Sequence, residues 1–511
     1  MKRRDFLKTA GCGAAALLAG CTTETKITSD KASPRHRSRS KAKKPAAASS
    51  VSRPPNILWL ISEDTCPDMG CYGNPLVKTP NIDKLAAEGA RFTNAFATAP
   101  VCSASRSCFM TGLYQTSTGA HNHRSHRDDG YMLPPPATVI TDYFRRAGYF
   151  TCNCAGLSYK KPGKTDWNFT PRGEPFDGTD WSQRKARQPF FAQVNFSMTH
   201  RDFQRDKNNP IDPAQVVLPP CYPDHPVARR DWANYLEAMQ VLDTEIGVVL
   251  QWLEKEGEAE NTIVLYFGDN GQPHVRGKQW LYEGGIHIPM IVRWPGRIQP
   301  GTVVDDLVST VDLAPTFLTA IGMEPPEHLQ GYNILGEKKR TREYVFAARD
   351  RCDGTVDRIR CVRSKRYKYI RNYCPDRPYT QFNAYKKLQY PVLTLMHVLY
   401  KEGKLTPEQE KFMVATRPPV EFYDLQEDPH ELWNLAEDPK HKKALRKHSD
   451  KLDEWIKATN DQGQTPEDPK IVEREQDQMA KSFVEAMEKR DLSPTISDEG
   501  YLKWWEQKLL G

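Results

Sequence analysis

A cysteine and an arginine four residues apart, in Cys102-Ser103-Ala104-Ser105-Arg106, carry the most specific chemistry of this chain, with Thr111-Gly112 just beyond. On a helix that spacing puts thiol and guanidinium on one face of the first turn. A helix N-terminus and a nearby cation either activate a thiol or gather an anion. The alternative is a small buried cysteine that does nothing. Two acidic pairs add a second chemistry. Glu63-Asp64 follows the apolar run 56–61, and Asp269-Asn270 follows the run 262–267. Carboxylates and an amide oxygen are hard ligands suited to Ca²⁺ or Mg²⁺. Either pair alone reads equally well as a turn or a helix cap.

The runs before those pairs read as buried strands, because they are unbroken and apolar. Residues 190–196 and 288–294 read the same way, the second ended by Pro295-Gly296. Thr79 is placed as the N-cap of a helix with Pro80 at its first position and Gly89 as its stop. A long amphipathic helix is expected over 231–256, with Tyr235, Met239, Leu242, Ile246, Leu250 and Leu253 on one face. Strands alternating with helices give an α/β class with a mostly parallel sheet. Ligands then sit beyond the carboxyl ends of the strands, where both acidic pairs fall. After about residue 340 the pattern changes. Residues 360–370 read as a strand pair, and a charged helical tail follows.

The start of the chain reads as a targeting segment. Arg3-Arg4 before the apolar stretch 14–19 matches a twin-arginine (Tat) export signal. The stretch is too short to span a membrane. Leu18-Ala19-Gly20-Cys21 looks like a bacterial lipobox, so Cys21 is expected to carry a lipid anchor to the membrane. Residues 22–55 are rich in Ser, Ala, Pro, Lys and Arg and read as a disordered basic linker. Residues 1–21 carry a net charge of +3 and residues 22–55 a net +7, which leaves −3 on the body of a chain whose total is +7. The folded part therefore offers no case for nucleic-acid binding, and an anionic partner must meet a local basic pocket. The ten cysteines beyond the leader show no disulfide framework.

The segment from Pro100 to Gly112 resembles the sulfatase signature, Cys-x-Pro/Ala-Ser-Arg followed by Thr-Gly. The resemblance extends over about residues 56–440, through Cys71-Tyr-Gly-Asn74, Thr79 to Leu85, Gly268-Asp-Asn-Gly271, Trp280 to Ile286, and Phe422 to Ala436. It implies an alkaline-phosphatase-like α/β/α sandwich with a mostly parallel central sheet. It further implies a smaller C-terminal α+β subdomain with a small antiparallel sheet. The expected layout is a signal at 1–21, a linker at 22–55, a catalytic domain at 56–340, and a C-terminal subdomain with its tail at 341–511.

By this resemblance Cys102 is converted after translation to formylglycine, and the metal ligands are Glu63, Asp64, Asp269, Asn270 and the modified Cys102. The metal is expected to be Ca²⁺, with Mg²⁺ as the alternative. Glu63 stands where the family usually has Asp. Lys164 and Lys278 look like the family's two lysines, with Lys160 and Lys161 as rivals for the first. His200 looks like its histidine, and an imidazole can give a proton to a leaving group near neutral pH. With Arg106 these groups neutralise a sulfate ester and the charge of its transition state. In the family one hydroxyl of hydrated formylglycine attacks sulfur, and the second expels sulfate. His121, His123, His126 and His274 read as loop polarity, with substrate contact as a second role.

Ala104 stands where the commonest pattern has Pro, a variant associated with bacterial radical-type maturases. Tat export of folded protein would let such a maturase act in the cytoplasm. The sequence around Cys102, with Gly112-Leu-Tyr-Gln115, most resembles the sulfamidase-like (N-sulfoglucosamine sulfohydrolase) branch. The expected partners are a sulfated glycan and the maturase. Three other readings stand beside it: an O-sulfatase of algal or other sulfated polysaccharides, a phosphohydrolase of the same fold, and a non-catalytic glycan-binding lipoprotein.

Overall fold

Nine strands of the described residues form one mixed sheet in the order β4-β3-β5-β1-β6-β7-β2-β8, with β9 also paired to β2. The computed structural model describes residues 53–511. The signal at 1–21, including the twin arginines and Cys21, and the linker as far as residue 52 lie outside the described residues. The strands are β1 (Asn56–Ser62), β2 (Ala90–Phe96), β3 (Phe150–Ala155), β4 (Ser158–Pro162), β5 (Phe190–Phe196), β6 (Thr262–Gly268), β7 (His287–Arg293), β8 (Thr302–Val304) and β9 (Val308–Ser309). β3, β5, β1 and β6 run parallel, whereas β7 is antiparallel to both β6 and β2. The sheet is therefore mixed, with a parallel centre.

The parallel centre decides where the site falls. β5, β1 and β6 are neighbours in register, with Ser62 opposite Phe196 on one side and Gly268 on the other. Their carboxyl ends thus lie side by side. β2 runs in the same direction as β1, because two antiparallel pairings separate it from β6. Its carboxyl end leads into the helix Cys102–Thr111 at the same edge.

Behind that edge sits an aromatic core. Trp59 of β1 is fully buried. It meets Phe109, Phe191, Phe267 and Phe317 edge-on, with centroids 5.1–6.1 Å apart. Edge-to-face packing of this kind adds to the burial of apolar area. Through Phe109 and Phe267 it couples the Cys102 helix to β6, the strand that Asp269 follows.

Several elements differ from the sequence reading. The long helix runs Pro226–Lys255, five residues earlier than expected. Pro226 occupies its first position, and the Val227 amide donates to the His225 ring. Thr79 precedes the helix Pro80–Glu88, yet its hydroxyl donates to Asp83 instead of capping. β2 and β3 had no apolar run to announce them. β3 reads Phe-Thr-Cys-Asn-Cys-Ala, and its buried Thr151 and Asn153 bond to Asp177 and Gly163.

A second, four-stranded antiparallel sheet holds β10 (Val345–Arg349), β11 (Ile359–Arg363), β12 (Tyr367–Asn372) and β13 (Val420–Asp424) in that order. The helix Lys442–Ala458 packs on β11 and β12. The tail then turns back toward the first sheet. The helix Pro469–Glu488 packs on Ala384–Gln389, and Asp498–Leu510 packs on Pro391–Lys401 and Pro226–Lys255.

Trp59→Ala should lower stability by about 3–5 kcal/mol, the usual cost of emptying an aromatic core position. Denaturant titration of the two proteins measures it.

Candidate active site

Three carboxylates meet at the shared edge. Glu63 and Asp64 leave the end of β1, and Asp269 leaves the end of β6. The Asp64 amide donates to Asp269 Oδ1 at 3.0 Å, and Asn270 Nδ2 donates to Asp64 Oδ1 at 2.9 Å. Ligand atoms of Glu63, Cys102 and Asp269 all lie within 4.8 Å of one another. Asp64 adopts φ +53°, a left-handed backbone that a non-glycine residue takes only at a cost of about 1–3 kcal/mol. Arg124, His126, Asp166, Gln279 and Asp353 around the same cavity or its ion pairs also have positive φ.

Cations answer the carboxylates. Lys278 Nζ lies 2.8 Å from both oxygens of Asp64 and 3.4 Å from Cys102 Sγ. Lys164 Nζ lies 2.7 Å from Glu63 Oε2. Arg106 Nε and Nη2 reach Asp269 Oδ2 at 3.0 and 2.9 Å, and its Nη1 donates to Asn195 Oδ1 at 2.7 Å. Asn195, at the end of β5, donates in turn to Asn153, which donates to the Gly163 carbonyl. That relay holds Lys164 in place. Gly163 is required there, because a Cβ would collide with the Asn153 side chain. Lys160 and Lys161 are exposed on β4 and play no such part.

Burial raises the pKa of each carboxyl, and the partners decide the outcome. For Glu63 the charges of Lys164, Arg106 and His200 outweigh burial and hold it below its usual value. For Asp64, Lys278 and His200 do the same. Asp269 ends above its usual value, because burial and the charges of Glu63 and Asp64 exceed the help from Arg106 and Lys164. A cation placed among these carboxylates would relieve the repulsion that raises Asp269. Asn270 Oδ1 is also buried with no hydrogen-bond partner among the described residues. Three carboxylates and that amide oxygen fit a hard divalent metal.

Cys102 opens its helix as the first residue, with Val101 before it as the N-cap. The helix is pinned to β6, since Ser105 Oγ donates to the Asp269 carbonyl at 2.5 Å. Ala104 is buried against Ala99, Val101 and Cys352, so a small residue suffices at that place. The thiol is not activated. Burial, then the Asp269 charge, push its pKa far above the usual range despite Lys164 and Lys278. The activation that a helix end and cations can give a cysteine is overridden by desolvation.

His200 follows β5, and its Nδ1 lies 2.6 Å from the Arg201 carbonyl, which leaves Nε2 3.9 Å from Asp64 Oδ2. Cys102, His200 and Lys278 line one cavity of about 500 Å³. Tyr385 joins them, its ring 5.2 Å from Lys278 Nζ and 5.7 Å from the His200 ring. His123 and His126 line the cavity as well, whereas His274 is buried beneath it, stacked on Trp232 at 4.1 Å. His121 is partly buried and does not line the cavity. His123 Nδ1 pairs with Asp353 Oδ1 at 3.1 Å. Sequence reasoning missed Asn195, Asp353, Tyr385 and the tail helix Pro469–Glu488 that closes the far wall. Asn195 alone had a signal, as an amide near the end of an apolar strand.

Residues 55–323 match the family model described as Sulfatase, and residues 271–412 match N-sulphoglucosamine sulphohydrolase, C-terminal. An "Ulvan-active sulfatase" of Formosa agariphila is 34% identical over 461 residues, covering 81% of this chain and 76% of that protein. Human N-sulphoglucosamine sulphohydrolase is 27% identical over 466 residues, covering 80% and 91%. A solved structure of a protein in complex with its substrate D-glucosamine-2-N,6-O-disulfate superposes with a TM-score of 0.57 at 18% identity, covering 80% of this chain and 98% of the other.

A divalent cation at 100 times its dissociation constant should stabilise the protein by about 2.7 kcal/mol. Calcium should therefore raise the melting temperature, EDTA should reverse it, and the rise should vanish in Asp269→Asn. A wild type indifferent to every divalent ion would overturn the metal site.

Proposed function

Because the chain belongs to the sulfatase family, hydrolases of sulfate esters or sulfamates, we propose that it desulfates a glycan with a formylglycine made from Cys102 and a bound Ca²⁺. The observation that supports this most is convergence. Cys102, Arg106, Lys164, Lys278 and His200 gather around the three buried carboxylates, and Cys102, Lys278 and His200 open onto one cavity.

Glu63, Asp64, Asp269 and Asn270 would hold the ion, which supplies electrophilic pull on sulfate oxygens and acidifies a bound hydroxyl. The chain's own charges prepare for the substrate. The three carboxylates and the three cations cancel, so a divalent ion leaves the site positive toward a sulfate anion. Lys278 stands 3.4 Å from Sγ, so an anion bound at that atom meets a cation already in place. Arg106 is locked by Asp269 and Asn195 and cannot turn away. With Nδ1 directed to a backbone carbonyl, His200 presents Nε2 to the reaction and can protonate the departing sugar atom there. A thiol carries no hydroxyl at all, whereas hydrated formylglycine would supply the two that the proposed reaction uses.

Two substrate readings each have support. The C-terminal family match and the human relative favour an N-sulfated glucosamine. The Formosa relative favours an O-sulfated algal polysaccharide. A phosphohydrolase is disfavoured by Cys102 at the nucleophile position. Sulfate release from heparan-type N-sulfates and ulvan fragments, beside turnover of nitrophenyl sulfate and phosphate, separates these readings. The leader and Cys21 support Tat export and a lipid anchor at the cell envelope.

Cys102→Ala should lower sulfate release at least a thousandfold, and a variant as active as wild type would remove Cys102 from the mechanism. Mass spectrometry of peptide 100–112 from the native host should find the aldehyde form. A peptide wholly in the thiol form would sink the maturation step.

A further inference from the structure

We infer that Arg124, on the wall of the active-site cavity, binds a second anion of the substrate, so the preferred glycan carries a carboxylate or a further sulfate near the scissile group. This deepens the glycan-sulfatase reading and rests on it.

The cavity is larger than a sulfate requires. It runs from Cys102, Lys278 and His200 to Arg474 and Gln478 on the tail helix Pro469–Glu488, beyond both family matches. At about 500 Å³ it has room for a sugar with its substituents.

Arg124 is built into that wall. Its amide donates at 3.0 Å to the hydroxyl of Ser103, the residue after Cys102. Its φ is +60° and that of His126 is +58°, left-handed values imposed by the surroundings. The loop is tied down on both sides. The His123 amide donates to the Arg351 carbonyl, the Arg351 amide to Asn122 Oδ1, and Asn168 Nδ2 to the Asn122 carbonyl. The backbone is thus held while the side chain is half exposed.

Among the described residues the guanidinium is held only by a long ion pair to Asp353. It donates no hydrogen bond among the described residues, and its nearest carboxylate oxygen, Asp353 Oδ1, is 4.0 Å away. That carboxylate already serves His123 at 3.1 Å and Asn383 at 3.3 Å. The other acids nearby are likewise engaged. Asp166 holds Arg127, Asp129 holds His126 at 2.7 Å, and Glu475 lies between Arg351 and Arg474 at 3.5 and 3.0 Å. Asp128 is exposed at the rim. A planar fork of N–H donors with no hydrogen bond of its own among the described residues, beside the cavity that Cys102 lines, matches two oxygens of a carboxylate or sulfate.

The test uses matured enzyme and two substrate pairs. One pair is glucosamine N-sulfate and D-glucosamine-2-N,6-O-disulfate. The other is a sulfated uronate-containing disaccharide and its carboxyl-reduced form. In wild type, kcat/KM should favour the member with the extra anion in at least one pair. In Arg124→Gln that preference should fall about tenfold to a hundredfold, carried mainly by KM, as expected for a lost hydrogen bond to a charged group. Arg124→Lys should restore part of it. The pair that responds identifies the anion as sulfate or carboxylate. Melting temperatures show that each variant is folded. An unmoved preference in folded Arg124→Gln overturns the assignment and leaves the sulfatase reading intact. No sulfate release by wild type from any of the four rejects the glycan reading and this assignment together.

Discussion

Three carboxylates buried at one point repel each other, and that repulsion organises everything around them. Each must be answered by a cation, and each is: Lys164 for Glu63, Lys278 for Asp64, Arg106 for Asp269. Removing any one cation would leave a buried carboxylate without its partner, which costs more than the intact pair stabilises. On the proposed function the same cations would also meet a sulfate ester, so one set of side chains would serve both the stability of the site and recognition of the substrate.

The sheet makes this arrangement possible. Parallel strands in the order β5-β1-β6 deliver Asn195, the Glu63-Asp64 pair and the Asp269-Asn270 pair to a single edge. Trp59 fills the space behind them, and Ser105 ties the Cys102 helix to the Asp269 backbone. The second sheet and the tail then close the cavity from the other side. Asp353 leaves the end of β10, Tyr385 comes from the helix Ala384–Gln389, and Arg474 from the tail. The tail is a wall of the cavity that holds Cys102, and its charged surface includes the face a substrate would meet.

The parts legible in the sequence share a cause. Glu63-Asp64 and Asp269-Asn270 stand out because each follows an apolar run that can only be a buried strand. β2 and β3 escaped because their interiors are partly polar, and partners outside the strand, Asp177 and Gly163, make Thr151 and Asn153 tolerable in β3. The resemblance favoured Lys164 but left Lys160 and Lys161 as rivals, since type and spacing alone do not separate them. Their separation came from β4, which exposes the first two, and from the Asn195–Asn153–Gly163 relay, which aims the third.

By itself the sequence singled out the Cys102 segment, the two acidic pairs and the α/β alternation, since each is carried by residues close together in the chain. Tertiary structure alone decided which lysine faces the carboxylates, which histidines reach the cavity, and that burial pushes the Cys102 thiol pKa up despite the lysines beside it. Those outcomes depend on burial and on charges contributed by segments as much as 230 residues apart, such as His123 and Asp353. Desolvation and long-range ion pairing have no local signature, so only the folded chain shows which of them prevails.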